Sequence, residues 1–134
     1  MEVGTVILGT PETVTGERAQ GSHGGSGGYF VRTLLESPSD SSFRYVRDLV
    51  LDPGSSIGDH PHQGDDEVYF IISGSGVMQV DGEQHNVGPG SAVLTRSGSH
   101  HGLVNTGAVH MRICVACASS NARASLTAES AGTG

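Results

Sequence analysis

The chain has 134 residues, enough for one domain with a substantial core, and it carries 21 Gly but only 4% aromatic residues. Fourteen acidic residues against 7 basic ones give a formal charge of −7, which disfavours nucleic acid or an anionic membrane as partner, because both select a basic surface. All 7 basic residues are Arg (18, 32, 44, 47, 96, 112 and 123), so a Schiff-base lysine, a lysine-held pyridoxal cofactor and a Walker A phosphate loop are excluded.

Met1-Glu2 opens the chain, and Val6-Ile7-Leu8 is too short an apolar run for a secretory leader. No window approaches the roughly 20 apolar residues of a membrane span. Residues 1–28 read as an N-terminal arm and a Gly-rich loop. Within them, 1–15 hold spare strand-formers able to pair with a sheet edge or a partner subunit. Residues 16–28 (GERAQGSHGGSGG) read as a flexible connector.

From Tyr29 onward the texture becomes short strands punctuated by turns. Strands are expected over 29–35 and 43–51, separated by Ser37-Pro38-Ser39-Asp40. Asp52-Pro53-Gly54 turns the chain before a compact apolar strand at 67–72. Another follows at 77–80, and Asp81-Gly82 is the preferred pair for a two-residue hairpin. Gly88-Pro89-Gly90 turns again, and strands at 92–95, 102–104 and 109–117 close the series. This spacing predicts an all-β antiparallel sandwich or barrel over 29–118. Residues 119–134 are rich in Ala, Ser, Thr and Gly and read as a disordered tail.

Two residue types carry chemistry. Cys114 and Cys117 have CxxC spacing, but they fall in an apparent strand, where residues three apart point to opposite faces. They therefore read as two reduced hydrophobes, consistent with a reducing cytoplasm. The histidines are more pointed. His60 and His62 share one face of an extended segment, and a bend at Gln63-Gly64-Asp65 can return Glu67 to the same side. A second pair, His100-His101, precedes Asn105. Imidazoles with one carboxylate suit iron, manganese, nickel, copper or zinc in a site without thiolate. His23, His85 and His110 lie outside these clusters and read as surface or loop residues.

The frame around these residues resembles the cupin superfamily. Gly54, His60, His62, Glu67 and Gly74 stand at the spacings of the first cupin motif. Gly90, Gly98, His101 and Asn105 stand at those of the second, with Arg96 where the family usually has Pro. The resemblance implies a cupin-type antiparallel β-barrel, a double-stranded β-helix of jelly-roll type. It also implies a divalent transition metal (Mn, Fe, Ni or Zn) held by His60, His62, Glu67 and His101. His100 either packs behind the ligands or faces solvent. Arg96 either reaches toward a carboxylate substrate or pairs with an acid at the rim.

Such a centre would carry a charge near +1 with open positions for a small anion or enolate. Strand alternation places Tyr69 and Ile71 on the Glu67 face, so Tyr69 either orients substrate or simply packs. Gln79 has the parity to face inward. Tyr69, Arg96 and His100 are thus the candidate catalytic residues, and Asp65 and Asp66 are the nearest further acids.

Within the superfamily, the closest likeness is to small single-domain members of the oxalate-decarboxylase-like and sugar-isomerase-like kind. The expected function is metal-dependent conversion of a small oxygenated acid or enolisable metabolite, by dioxygenase, decarboxylase or isomerase chemistry. The alternatives are a non-catalytic metal-built binding or sensing module, and a zinc cyclase of the polyketide type. A homodimer is expected, since the strand at 67–72 is apolar on both faces.

Overall fold

A computed structural model describes residues 7–37 and 40–120. It contains ten strands: β1 (Glu17–Gln20), β2 (Gly28–Glu36), β3 (Phe43–Leu51), β4 (Ser56–Pro61), β5 (Asp65–Ser73), β6 (Gly76–Val80), β7 (Glu83–Val87), β8 (Ala92–Thr95), β9 (His100–Asn105) and β10 (Met111–Ser119). All pairings are antiparallel, in a six-stranded sheet of order β1-β2-β3-β10-β5-β8 and a four-stranded sheet of order β4-β9-β6-β7. The protein is thus an all-β jelly roll in which two sheets face each other, and among the described residues no continuous hydrogen-bonded ladder closes the barrel.

Alternation of apolar residues drives the two sheets together. On β10, Met111, Ile113, Val115 and Cys117 are buried, and on β5 so are Glu67, Tyr69 and Ile71, while Phe70 and Ile72 stay exposed. Leu51, Ile71, Met78, Leu103, Met111 and Ile113 are fully enclosed, each contributing about 1.5–3 kcal/mol by leaving water. Met78 takes the inward position on β6, and with it the expected inward Gln79 turns to the outer side, among Val77, Gln84 and Gly102. Asp81 (φ 49°) and Gly82 (φ 83°) form the expected tight hairpin, in which both residues take positive φ.

The Gly-rich stretch is more ordered than a connector. Residues 17–20 form β1 at the edge of the large sheet, and Ser22–Gly24 form a single three-ten turn. That turn docks on β4 by close backbone approach. A Cβ on Gly25 would lie 2.2 Å from the Ser56 carbonyl oxygen, and one on Gly58 would lie 2.0 Å from that of His23. Only glycine fits either place. Of the expected N-terminal strand, residues 1–6 lie outside the described residues, and Thr10–Thr13 make a hydrogen-bonded turn rather than a strand. The expected tail lies outside them from residue 121.

Strand register sorts the interior into layers. Ile71, Ile113 and Leu49 align across three strands of the large sheet, and Leu103 aligns with Ile57 and Met78 across the small one. Toward one end the layers become polar: Tyr45, Cys117, Glu67 and Thr95 align on the large sheet, opposite His60 and His101 on the small. The site occupies this end, and the apolar core fills the rest.

Candidate metal centre

His60 and His101 are cross-strand partners, as are Ile57 and Leu103. Three residues on β4 therefore match two on β9, so β4 carries one extra residue at Gly58-Asp59. Without this bulge Ile57 and His60 would point to opposite faces; with it both face inward, and Asp59 is turned out to solvent. His62 follows β4 and is anchored by backbone hydrogen bonds with Ser99 (2.9 Å) and Gly98 (2.8 Å). Glu67 reaches the same point from β5.

The four side chains converge, with one ligating atom from each lying within 4.8 Å of all the others. His62 Nε2 is 3.0 Å and His101 Nε2 3.2 Å from Glu67 Oε1, and His101 Nε2 is 3.1 Å from His62 Nε2 and 3.2 Å from His60 Nε2. Two ligands at right angles on a first-row ion with bonds of about 2.1 Å stand roughly 3.0 Å apart, so these spacings suit such an ion.

The opposite end of each ligand is held by the protein. His60 Nδ1–H donates to the Gly58 carbonyl (2.7 Å), and His62 Nδ1–H donates to Asp65 (2.8 Å). Both acceptors lack a proton to give, which fixes the tautomer and leaves the Nε2 lone pairs facing inward. Thr95 Oγ1 lies 2.7 Å from His101 Nδ1, and the Tyr45 hydroxyl donates to Glu67 Oε2. Lone pairs of imidazole aimed at a carboxylate at 3.0 Å repel unless a cation unites them, so the donor set fits a metal ion.

The electrostatics agree. Burial alone would raise the Glu67 carboxyl, but with no metal bound a proton on His101 Nε2 hydrogen-bonds it, Tyr45 donates to it, and positive charge on the nearby histidines adds to both. It is thus held below the usual carboxylate range, and a metal ion would take the place of those protons. Burial lowers His60, favouring the neutral imidazole a metal requires. Burial, then the hydrogen bond to Glu67, pushes the Tyr45 phenol up, so it stays a donor.

Of the candidate catalytic residues, Tyr69 adjoins the group, its ring 4.8 Å from that of His101. His100 does not: strand alternation aims it away from His101, and its Nδ1 bonds Asp59 at 2.7 Å on the outer surface. Arg96 is exposed on the turn after β8 and does not line the cavity. Of the nearest acids, Asp65 serves His62, and Asp66 Oδ1 accepts from the Ser97 N–H. Asn105 is fully buried and structural; its side chain ties the Leu51, Asp52 and Val109 carbonyls and the Gly107 N–H. Cys114 and Cys117 are free and on opposite faces; burial pushes the Cys117 thiol up to about 11.

Several site residues carry no local sign in the sequence. His23 is an exposed loop residue as expected, yet it stacks on His60 with centroids 3.6 Å apart and planes 9° from parallel. It takes a left-handed backbone (φ 49°) between Gly21 and Gly24, which aims its ring over the group. Tyr45, Thr95 and Arg47 reach the site only through strand register. The centre opens into a cavity of about 590 Å³, whose wall includes His23, Tyr29, Thr33, Tyr45, Arg47 and Tyr69.

Residues 47–117 match the cupin domain family. An oxalate-binding protein of Thermotoga maritima is 33% identical over 108 residues, covering 80% of this chain and 89% of that protein. Tetracenomycin polyketide synthase protein TcmJ of Streptomyces glaucescens is 29% identical over 87 residues, 65% of this chain and 58% of TcmJ. A crystal structure of a predicted oxalate decarboxylase from T. maritima superposes with a TM-score of 0.78 at 29% identity, covering 83% of this chain and 97% of that one. Among the described residues no helix is long and apolar enough to cross a membrane. Jelly-roll sheets, the inward His60–His62–Glu67–His101 group and the match over residues 47–117 agree: this chain belongs to the cupin family.

Proposed function

We propose that the chain is a metal-dependent enzyme acting on a small oxygenated acid, with the substrate carboxylate held at the His60–His62–Glu67–His101 centre. The observation that carries this reading is the set of inward lone pairs whose far sides are all tied down by Gly58, Asp65, Thr95 and Tyr45. A bound divalent ion of the Mn, Fe, Ni or Zn type supplies Lewis acidity toward a carboxylate or enolate. The chain's own residues hold that chemistry in place. Tyr45 and Thr95 orient ligands, Tyr69 walls the site beside His101, and the apolar core beneath excludes water from below. The oxalate-binding relative supports a small carboxylate as ligand.

A second reading, a binding or sensing module without turnover, is favoured by one feature of the wall. Among the described residues its carboxyls are Glu17, Asp65 and Glu67, of which Asp65 and Glu67 already serve the histidines. Protein purified without added metal, assayed for metal content and then incubated with oxalate and a panel of small oxo- and hydroxy-acids, separates the two. Metal-dependent product formation, lost in His62→Ala, supports the enzyme. Saturable binding with all ligand recovered unchanged supports the module, and absence of metal overturns both. Oxygen uptake during turnover distinguishes dioxygenase from decarboxylase, isomerase or cyclase chemistry.

We further propose a homodimer formed through the outer face of the large sheet. Phe70, Ile72 and Leu94 stand 43%, 41% and 49% exposed on the paired strands β5 and β8. Such a contiguous apolar face is costly in water and favours a second copy. A cytoplasmic setting suits the free cysteines.

A further inference from the structure

Arg47 is a cation on the inner face of a sheet. Its row reads Thr33, Arg47, Val115, Tyr69 and Val93 across five strands, and its neighbours along β3 on the same face are Tyr45 and Leu49. Its guanidinium lies over the Tyr45 ring at 3.7 Å from the centroid and lines the cavity. Stacking on a ring offsets part of the cost of a half-buried charge, but a guanidinium still presents five N–H donors that call for an acceptor.

The protein's own carboxylates do not provide one. No ion pair among the described residues includes Arg47. Asp48, next in sequence, points through the opposite face, where Arg112 holds it at 2.9 and 3.0 Å. Asp65 is taken by His62 and lies 3.9 Å from Arg44, while Glu67 is taken by Tyr45, His62 and His101. Glu17, the remaining acid of the wall, is exposed at the rim.

Charge then sets the ligand class. A divalent ion with Glu67 leaves one positive charge at the centre, and Arg47 adds a second on the cavity wall. Of the wall's other carboxylates, Asp65 is offset by Arg44 at 3.9 Å and Glu17 is exposed to solvent, so a dianion balances the pair. One cavity of about 590 Å³ is lined both by Arg47 and by His60, His62 and Glu67, so a single ligand can meet both ends.

We infer that Arg47 determines specificity by receiving the second anionic group of a dicarboxylate whose first carboxylate sits at the His60–His62–Glu67–His101 end of the cavity. This rests on the carboxylate-on-metal reading proposed above. The planar fork of Arg matches a carboxylate in two-point contact, and Tyr45 pre-orients it, so little freedom is lost on binding. Arg47 is tied to the centre through Tyr45, which stacks under the guanidinium and hydrogen-bonds Glu67.

The test is calorimetric binding to Mn-loaded protein with chain-matched pairs: malonate against propionate, succinate against butyrate, glutarate against valerate. In the unaltered chain at least one dicarboxylate binds tenfold or more tighter than its partner. Arg47→Gln abolishes that gap while leaving monocarboxylate affinity and metal content unchanged, and Arg47→Lys narrows it several-fold. If Arg47→Gln does not fold, the Arg47→Lys gap is read alone. A gap that survives both substitutions, or equal binding of both members of every pair in the unaltered chain, overturns the inference while leaving the carboxylate reading intact. Metal-loaded protein that binds no carboxylate at all overturns both.

Discussion

At Glu67 burial and hydrogen bonding pull in opposite directions, and hydrogen bonding wins. The reason is positional. Tyr45 and Thr95 sit in the same cross-strand row as Glu67, so their hydroxyls meet Glu67 and His101. Partners of this kind tune metal affinity without touching the metal, typically by ten- to a hundredfold. Tyr45→Phe is therefore expected to weaken Mn or Zn retention by about that range in a competition titration against a chelator, with the fold intact. His62→Ala removes one of the four proposed ligands and is expected to abolish stoichiometric metal retention. His100→Ala, on the opposite face, leaves metal content unchanged; elemental analysis of the two variants side by side checks the assignment.

Among elements, β4 and the three-ten turn form a unit. The bulge at Gly58-Asp59 turns His60 inward, the Gly58 carbonyl fixes its tautomer, and the absence of a side chain at Gly58 lets the His23 turn dock. Gly58→Ala drives a methyl into the His23 carbonyl and the Gly25 amide. Such overpacking costs about 1–3 kcal/mol, measurable by urea unfolding. It is also expected to free the His23 ring, seen as loss of ring-current shifts between His23 and His60, while metal content is kept. The strands themselves were legible from alternation and turn residues: 43–51 and 92–95 match β3 and β8, and Asp81-Gly82 forms its hairpin. β1 was not legible, because Glu17-Arg18-Ala19-Gln20, three polar residues and one small Ala, carry no alternation of apolar side chains and pair only because β2 offers a free edge.

For the molecule as a whole, the polar layer is an energetic liability until its charges are united. A ligand that binds only the folded state stabilises it by about 2.7–4.1 kcal/mol at 100- to 1,000-fold over its Kd. Chelation is accordingly expected to lower the denaturation midpoint by an amount of that order, restored by adding back Mn or Zn, and calorimetry checks it. The outer sheet face gives a separate expectation. Sedimentation equilibrium should return twice 13.7 kDa, and Phe70→Lys with Leu94→Lys should return the single-chain mass. A single-chain mass for the unaltered protein removes the homodimer.

Local chain chemistry by itself put His60 and His62 on one side and let the turn residues bring Glu67 back. The choice of His101 over His100, through its step to Asn105, came from the resemblance to the cupin motifs. Only the tertiary structure decided what surrounds them. His23 over His60, Tyr45 on Glu67, Thr95 beside His101, and Arg47 rather than Arg96 on the cavity wall all depend on strand register and on one bulge. Register is set by which faces the two sheets can jointly bury, a condition on the whole sheet that no local stretch of residues contains.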